Sequence, residues 1–218
     1  MLIHYLSKVI ILYLIIILID IHSSLSSIIE KRTIPSGLSS CSYIHNLKMD
    51  SSSLSIPDSV CNSELLTSFD LSIFKLLNSI TIGSTNFFYV NGFILNNNIK
   101  LNSLKIGKNS FTKYRNSHGN DSSRSFHILN CIELKSIEID NYSFSDYGGE
   151  FEFHNLPKLL TIKIGQIGEW SSSFYYSTLV IRGNRLCVVF RLDFPNLYVI
   201  TLGNDAFATS SQTIIESM

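Results

Sequence analysis

The chain has 218 residues, of which 45% are hydrophobic and 16% charged, and its 17 Lys and Arg residues balance its 17 Asp and Glu residues. This composition is too apolar for a disordered protein, and the length suffices for one domain with a sizeable core. The zero net charge provides no field that would recruit nucleic acid or an anionic membrane surface, so no nucleic-acid partner is predicted.

The first 22 residues are predicted to be a targeting segment. Residues 9–19 form an unbroken apolar run, with Lys8 before it and Asp20 after it. A basic residue, an apolar core of this length and a polar exit are typical of a secretory signal peptide. Two alternatives are a membrane anchor formed by residues 2–19, which nearly reach the length of a spanning helix, and a buried helix. The signal peptide and the anchor both predict a secreted or cell-surface protein.

Residues 23–64 are rich in serine and weakly patterned, and we interpret them as a linker followed by an N-terminal cap. Cys41 and Cys61 lie in this segment and are candidates for a disulfide that staples the cap. The four cysteines of the chain include no C-x-x-C pair, so the usual zinc signature is missing and neither a metal nor a cofactor is predicted.

Residues 65–218 contain a repeated sequence motif. It contains a short strand of the form apolar–polar–apolar, usually followed by glycine, which suits a turn with a positive φ angle. The second apolar position recurs at intervals of 24, 33, 25 and 38 residues, at Ile82, Ile106, Ile139, Ile164 and Leu202. Spacing of this kind is typical of stacked units that share one core. It predicts a mainly β solenoid of about five two-strand units.

Each unit is predicted to contain an earlier strand as well. These first strands include the triplets that begin at Phe69, Phe93, Phe126, Phe151 and Phe190, and residues 178–182 could add an extra strand to the longest unit. The two long units carry their additional residues at 112–124 and 167–176, and insertions in a solenoid belong in loops on one side of the stack. An aromatic residue after each second strand is expected in the core, at Phe87, Phe111, Phe144, Trp170 and Phe207.

Side chains alternate along a strand, so the residues between the apolar positions point outward. Because neighbouring strands lie about 4.8 Å apart, the outward residues of successive units should form columns that a partner could bind. In the column of the second strands, Lys105, Glu138 and Lys163 alternate in charge. The candidate binding residues of the two columns are Thr81, Lys105, Glu138, Lys163 and Thr201, together with Asp70, His127, Glu152 and Arg191.

No catalytic motif supports an enzyme, because the sequence has no nucleotide-binding loop, HExxH or GxSxG motif or paired metal ligands. Residues 146–150 form the only compact acidic cluster in the sequence. It could serve a hydrolase or bind calcium, but we interpret it as a turn between units. Asn120 and Asn141 each begin an N-glycosylation sequon, which agrees with export of the chain.

The stretch from Cys131 to Phe144 reads C-x-x-L-x-x-I-x-I-x-x-x-x-F. This pattern resembles leucine-rich-repeat proteins, particularly the BspA-like type found on the surfaces of bacteria and of parasitic or commensal protists. The resemblance covers about residues 65–207, although unit lengths vary and Ile-Gly replaces the usual Ile-Pro of that type. It implies a β-rich solenoid that acts as an adhesion or protein-interaction surface, and it implies no catalytic residue.

The sequence therefore favours a non-enzymatic binding module, exported or on the cell surface, that recognises a protein or a glycan through its outward columns. The alternative is a structural protein that assembles with copies of itself, or a fragment of a longer repeat array. Residues 208–218 form a polar tail with no obvious cap, and an uncapped end of a repeat array can pair with another copy.

Overall fold

The structure is a computed structural model, and it describes residues 38–113, 120–166, 169–182, 199–202, 206 and 213–216. For residues 178–182, 199–202 and 213–216 it describes the backbone pairing but not the side chains. The predicted targeting segment, residues 1–22, lies outside the described residues. Within the described ranges, no helix combines the length and the apolar character that crossing a membrane requires.

The described residues contain a 3₁₀ turn at Leu38–Ser40, a single-turn helix α1 at Ser42–His45, and twelve short strands. The strands are β1 (Ser53–Ile56), β2 (Ser68–Asp70), β3 (Ser79–Ile82), β4 (Gly92–Asn96), β5 (Ser103–Ile106), β6 (Ser125–Leu129), β7 (Ser136–Ile139), β8 (Glu150–His154), β9 (Thr161–Ile164), β10 (Thr178–Arg182), β11 (Val199–Leu202) and β12 (Thr213–Glu216). The expected mainly β class is confirmed.

The strands form two parallel sheets, and successive strands of the chain alternate between them. The odd sheet has the order β1-β3-β5-β7-β9-β11, and the even sheet has the order β12-β10-β8-β6-β4-β2. Strands that are neighbours in one sheet are therefore connected through a strand of the other sheet. Each passage of the chain adds one strand to each sheet, and this places equivalent residues of successive passages side by side.

Burial alternates along the strands as the sequence predicts. In β3, Ile80 and Ile82 are buried, whereas Thr81 between them is exposed. The same alternation buries the apolar residues of the neighbouring strands, which are Leu104, Ile106, Ile137, Ile139, Ile162 and Ile164 in the odd sheet and Phe93, Leu95, Phe126, Ile128, Phe151 and Phe153 in the even sheet. Burial of apolar side chains on one face of each sheet supplies the main driving force for this arrangement.

Two columns of stacked phenylalanine rings occupy the core. One column comes from the even sheet, where the ring of Phe126 stacks on those of Phe93 and Phe151 at centroid distances of 4.6 and 4.7 Å. The other comes from the turns after the odd strands, where Phe144 stacks on Phe111 and Phe174 at 4.7 Å. Edge-to-face contacts join the columns, for example between Phe126 and Phe144 at 5.0 Å. Offset and edge-to-face rings are the favoured aromatic geometries.

The expectation that Trp170 occupies the aromatic core position is wrong. Trp170 is 66% exposed, and Phe174 is the fully buried residue that stacks on Phe144. The backbone conformation agrees with Phe174 as the core residue, because its φ angle of 54° is close to the 58° of Phe144. Non-glycine residues rarely adopt positive φ, yet four core phenylalanines share φ angles of 54° to 63°, so the same uncommon turn places each of their rings: Phe87, Phe111, Phe144 and Phe174.

Two of the glycines after the odd strands, Gly83 and Gly107, serve a different purpose from the one expected. Gly165 has a positive φ of 74°, but Gly83 and Gly107 do not have one. A Cβ atom on Gly83 would lie 2.7 Å from the backbone nitrogen of Asp58, and one on Gly107 would lie 2.7 Å from that of Ser84. Close approach of successive turns, rather than an unusual φ angle, therefore favours glycine at these two positions.

Two strands of the sheets lie where the sequence predicts none. β1 lies inside the segment interpreted as linker and cap, yet it pairs in register with β3. β12 lies in the supposed polar tail and pairs with β10. Both strands lack the glycine and phenylalanine residues that mark the repeated motif, so the repeat pattern does not indicate them. The cap before β1 consists of the 3₁₀ turn and α1, and a disulfide joins Cys41 to Cys61.

Candidate binding site

The outward column of the odd sheet forms as predicted at the level of strand register. Thr81 pairs with Lys105, Lys105 with Glu138, Glu138 with Lys163, and Lys163 with Thr201. The side chain of Thr201 is outside the described part of the structure, whereas the other four are exposed or half-buried. A second column of hydroxyl residues runs beside the first, through the paired positions Ser53, Ser79, Ser103, Ser136 and Thr161.

Three charged residues of this column form a ladder of ion pairs, which we call the Lys–Glu–Lys ladder. Glu138 accepts from Lys163 at 3.1 Å and from Lys105 at 3.2 Å, one lysine to each carboxylate oxygen. The hydrogen bond from Lys163, with further contributions from Lys105, holds the pKa of the Glu138 carboxyl below its ordinary value of 4.5. A shallow pocket of about 150 Å³ lies along the ladder and also contacts Asp140 and Gln166. The ladder is therefore a charged and accessible surface.

The outward column of the even sheet is less exposed. Asp70 pairs with Ile94, Ile94 with His127, and His127 with Glu152. His127 and Glu152 meet through their side chains, with 3.3 Å between Nδ1 and Oε2, although only 21% and 14% of these side chains are exposed. Glu150 contributes a carboxylate to the same place, where ligand atoms of the three residues lie within 4.8 Å of one another.

The sequence predicts Arg191 in this column, but Arg191 lies outside the described residues. The position beside Glu152 is occupied by Val180 of β10. Thr178–Arg182 pairs in register with β8 and therefore takes the place of the next first strand in the even sheet. The extra length of this unit therefore lies largely between β10 and β11, at residues 183–198, and not at 167–176.

A buried ion pair lies in the turns that lead into the even sheet. The guanidinium of Arg124 donates to Oδ2 of Asp146, and these side chains are only 3% and 2% exposed. Arg124 also donates to the carbonyl oxygens of Phe88 and Val90, and its guanidinium lies 4.7 Å from the ring centre of Tyr147. Burial raises the pKa of the Asp146 carboxyl, against the opposing effect of the Arg124 charge. These contacts hold the turns together.

A cleft of about 480 Å³ opens beside this ion pair, next to the insertion at residues 112–124. Tyr89 is half-buried in its wall, and Lys113 lies over the Tyr89 ring at 5.6 Å from its centroid. Glu64 and Asp121 add exposed carboxylates. A hydrogen bond from Ser123 holds the pKa of the Asp121 carboxyl below its ordinary value. The cleft thus combines the aromatic side chains of Phe88 and Tyr89 with charges of both signs, and its volume is within the range of small-ligand sites.

The two predicted glycosylation sites differ in accessibility. Asn120 is exposed at the rim of the cleft. Asn141 is 2% exposed, its Nδ2 donates to Glu169 at 2.8 Å, and its Oδ1 accepts from the backbone nitrogen of Gln166 at 2.8 Å. A glycan on Nδ2 of Asn141 would displace these contacts. The structure is therefore compatible with a glycan at Asn120 and conflicts with one at Asn141.

Several of these features escape sequence reasoning. Arg124 and Asp146 are 22 residues apart in polar segments, and nothing in their spacing indicates a pair. Glu150 belongs to the acidic cluster at residues 146–150, yet it lies beside His127 and Glu152, whereas Asp146 pairs with Arg124. The pattern that could have placed Glu150 is its alternation with Glu152 along β8. The two carboxylates of the acidic cluster therefore belong to different sites.

Comparisons with known proteins identify no relative of this chain. No protein-family model matches it, and neither a curated protein nor a solved structure matches it. Any functional conclusion therefore depends on the repeated residues and on the geometry of the two sheets, the ladder and the cleft.

Proposed function

We propose that the chain is a leucine-rich-repeat-like solenoid that acts as a non-enzymatic protein-interaction or adhesion module, exported or displayed on the cell surface. Its ligand would be a protein or a glycan, and no cofactor is needed for this role. The observation that carries the proposal is the outward face of the odd sheet. There the aligned hydroxyl column and the Lys–Glu–Lys ladder form a continuous polar surface.

The contrast between the two sides of each odd strand supports this choice of surface. Toward the core the strands repeat isoleucine and leucine, because each of these residues must fit the same stack. Toward solvent the same strands carry threonine, lysine, glutamate and lysine in turn. Outward residues can change without altering the core, so differences between units can encode the choice of a ligand.

The charges of the ladder also suit recognition. Lys105 and Lys163 are held by Glu138, so a ligand meets side chains that are already ordered and loses less conformational entropy on binding. An alternating series of charges discriminates against partners that place like charges opposite it. The zero net charge of the chain favours such local complementarity over general attraction to polyanions.

The proposal can be tested with the purified chain on an array of immobilised glycans and extracellular proteins. The affinity for each hit would then be measured for the double variant Lys105→Gln/Lys163→Gln. We expect affinity to fall about tenfold while the melting temperature changes little, because exposed ion pairs contribute little to stability.

Two further variants locate the binding surface. Lys158→Gln is the matched control, because Lys158 forms an equally exposed pair with Glu133 at 2.7 Å outside the odd strands. Tyr89→Ser removes one of the two aromatic side chains that line the cleft, the one that lies under Lys113. Unchanged affinity in the ladder variant would contradict our assignment of the surface, and loss of affinity in the Tyr89 variant alone would transfer the binding site to the cleft.

Self-assembly is the second candidate function, and one observation favours it. Among the described strands, β11 pairs only with β9, and β12 pairs only with β10. An unpaired strand edge can add a strand from another copy. Light scattering over a dilution series would detect this assembly, and a mass that stays monomeric at every concentration would exclude it.

A further inference from the structure

We propose that His127, Glu150 and Glu152 form a binding site for a divalent transition-metal ion such as Zn²⁺. The three side chains come from adjacent strands of the even sheet, with His127 on β6 and the two glutamates on β8. One ligand atom from each residue lies within 4.8 Å of the others. This inference is independent of the proposed function, because it concerns the other sheet and requires no macromolecular ligand.

The distances suit a small metal ion. Zinc binds imidazole nitrogen and carboxylate oxygen at about 2.0–2.2 Å, so two ligand atoms of a tetrahedral site are about 3.3–3.6 Å apart. His127 Nδ1 and Glu152 Oε2 are 3.3 Å apart, which is longer than most hydrogen bonds but matches this separation. Glu150 is exposed, and its carboxylate contributes a ligand atom that lies within 4.8 Å of the other two.

The surroundings of the site also favour a metal ion. The side chains of His127 and Glu152 are 21% and 14% exposed, so they are recessed in the surface, unlike freely solvated surface charges. Their strands are fixed by parallel pairing, in which His127 lies opposite Glu152 and Phe126 lies opposite Phe151. The rings of Phe126 and Phe151 stack in the core directly beneath, at 4.7 Å. A rigid support of this kind holds ligands close to a productive geometry.

The chemistry of the ligands indicates which ion would bind. An imidazole with two carboxylates suits zinc and its transition-metal neighbours. Calcium prefers six to eight oxygen ligands, more than the carboxylates of this cluster supply. Three protein ligands also leave at least one coordination position of zinc for water or for a donor atom of another molecule.

Isothermal titration calorimetry of the tag-free full-length chain with Zn²⁺ tests the proposal. We expect one saturable site, and we expect His127→Gln and Glu150→Gln each to weaken binding at least about tenfold. Glu150 is exposed, so its variant should fold even if a substitution at the recessed His127 does not. The controls are His154→Gln and Glu133→Gln, which remove a histidine of β8 and a surface glutamate outside the cluster, and both should bind zinc like the unmodified chain.

Titration with Co²⁺ measures coordination directly and does not depend on changes in protein stability. The visible absorption of bound cobalt is intense only in four- or five-coordinate sites. We expect such absorption in the unmodified chain and its loss in the His127 and Glu150 variants. The absence of saturable zinc binding would overturn the proposal. Equal zinc affinity in the Glu150 variant and the controls, or loss of binding in His154→Gln alone, would overturn it too.

Discussion

The protein contains two sets of ion pairs that use similar groups in opposite surroundings. Arg124 and Asp146 pair in the turns before the even sheet, with side chains that are 3% and 2% exposed. The Lys–Glu–Lys ladder lies on the odd sheet, where the side chains of Lys105, Glu138 and Lys163 are 62%, 39% and 44% exposed. Water screens the ladder but not the buried pair, so the same kind of contact has different consequences at the two places.

The buried pair is also fixed by the backbone. Arg124 donates to two carbonyl oxygens of the turn before β4, at Phe88 and Val90, and the Tyr147 hydroxyl donates to the same Val90 oxygen at 2.8 Å. Removal of one member therefore disturbs several segments at once. The ladder residues contact one another from neighbouring strands, and they can change without breaking such a network. The buried pair therefore has a structural role, whereas the ladder residues can change without loss of the fold.

The largest predicted effect follows from breaking the buried pair. Arg124→Met should lower the free energy of unfolding by about 3–5 kcal/mol, because it leaves the Asp146 carboxylate buried without its cation. Urea denaturation at neutral pH would measure the loss.

The double variant Arg124→Met/Asp146→Leu is its control. It removes both charges, so it should recover much of the lost stability, since well-packed apolar groups often replace a buried pair without a net cost. A loss below about 1 kcal/mol in the single variant would show that this pair behaves like an exposed one.

The aromatic columns predict the next largest effect. Phe126→Leu should cost about 2 kcal/mol, because the Phe126 ring stacks between Phe93 and Phe151 and leucine leaves part of that space empty. Trp170→Leu is the matched control, since Trp170 is an aromatic residue that is 66% exposed. It should change stability by less than about 0.5 kcal/mol. Thermal or urea denaturation would measure both variants. If Trp170→Leu lost as much stability as Phe126→Leu, Trp170 would have to lie in the core, which would contradict the assignment of Phe174 to the aromatic column.

The sequence predicted those features that depend on periodicity. Alternation along a strand decides which side chains are buried, and equal spacing of the repeats decides which residues become neighbours. Ile80, Lys105 and Glu138 could therefore be placed correctly in the core or in the column. Neither prediction needs knowledge of the path that the chain follows between strands.

Features that depend on the turns could not be predicted in this way. Trp170 and Phe174 are both aromatic residues in one irregular segment, and only the backbone conformation determines which of them enters the core. Residues 178–182 and 190–192 were likewise both candidates for a first strand in one unit, and the structure pairs residues 178–182 with β8. Arg124 and Asp146 are brought together by the stacking of separate turns, for which a local pattern holds no signal.

The exposed ladder predicts a small effect on stability. Lys163→Gln should lower the free energy of unfolding by less than about 1 kcal/mol, and the loss should shrink further at high salt, because solvent screens the pair with Glu138. A double-mutant cycle with Glu138→Gln would measure the coupling. A coupling above about 2 kcal/mol that persists in salt would remove the distinction between the ladder and the buried pair.

The smallest effect concerns pH. The lysines hold the pKa of Glu138 below 4.5 in the folded chain, so folding favours its ionised form. The resulting stabilisation is present above pH 4.5 and is lost as the pH falls through the lower folded pKa. The difference in unfolding free energy between the unmodified chain and Glu138→Gln should therefore shrink as urea denaturation is repeated from pH 6 down to about pH 3. A constant difference over this range would mean that Glu138 contributes by packing alone, and the ladder would then have no electrostatic role in the fold.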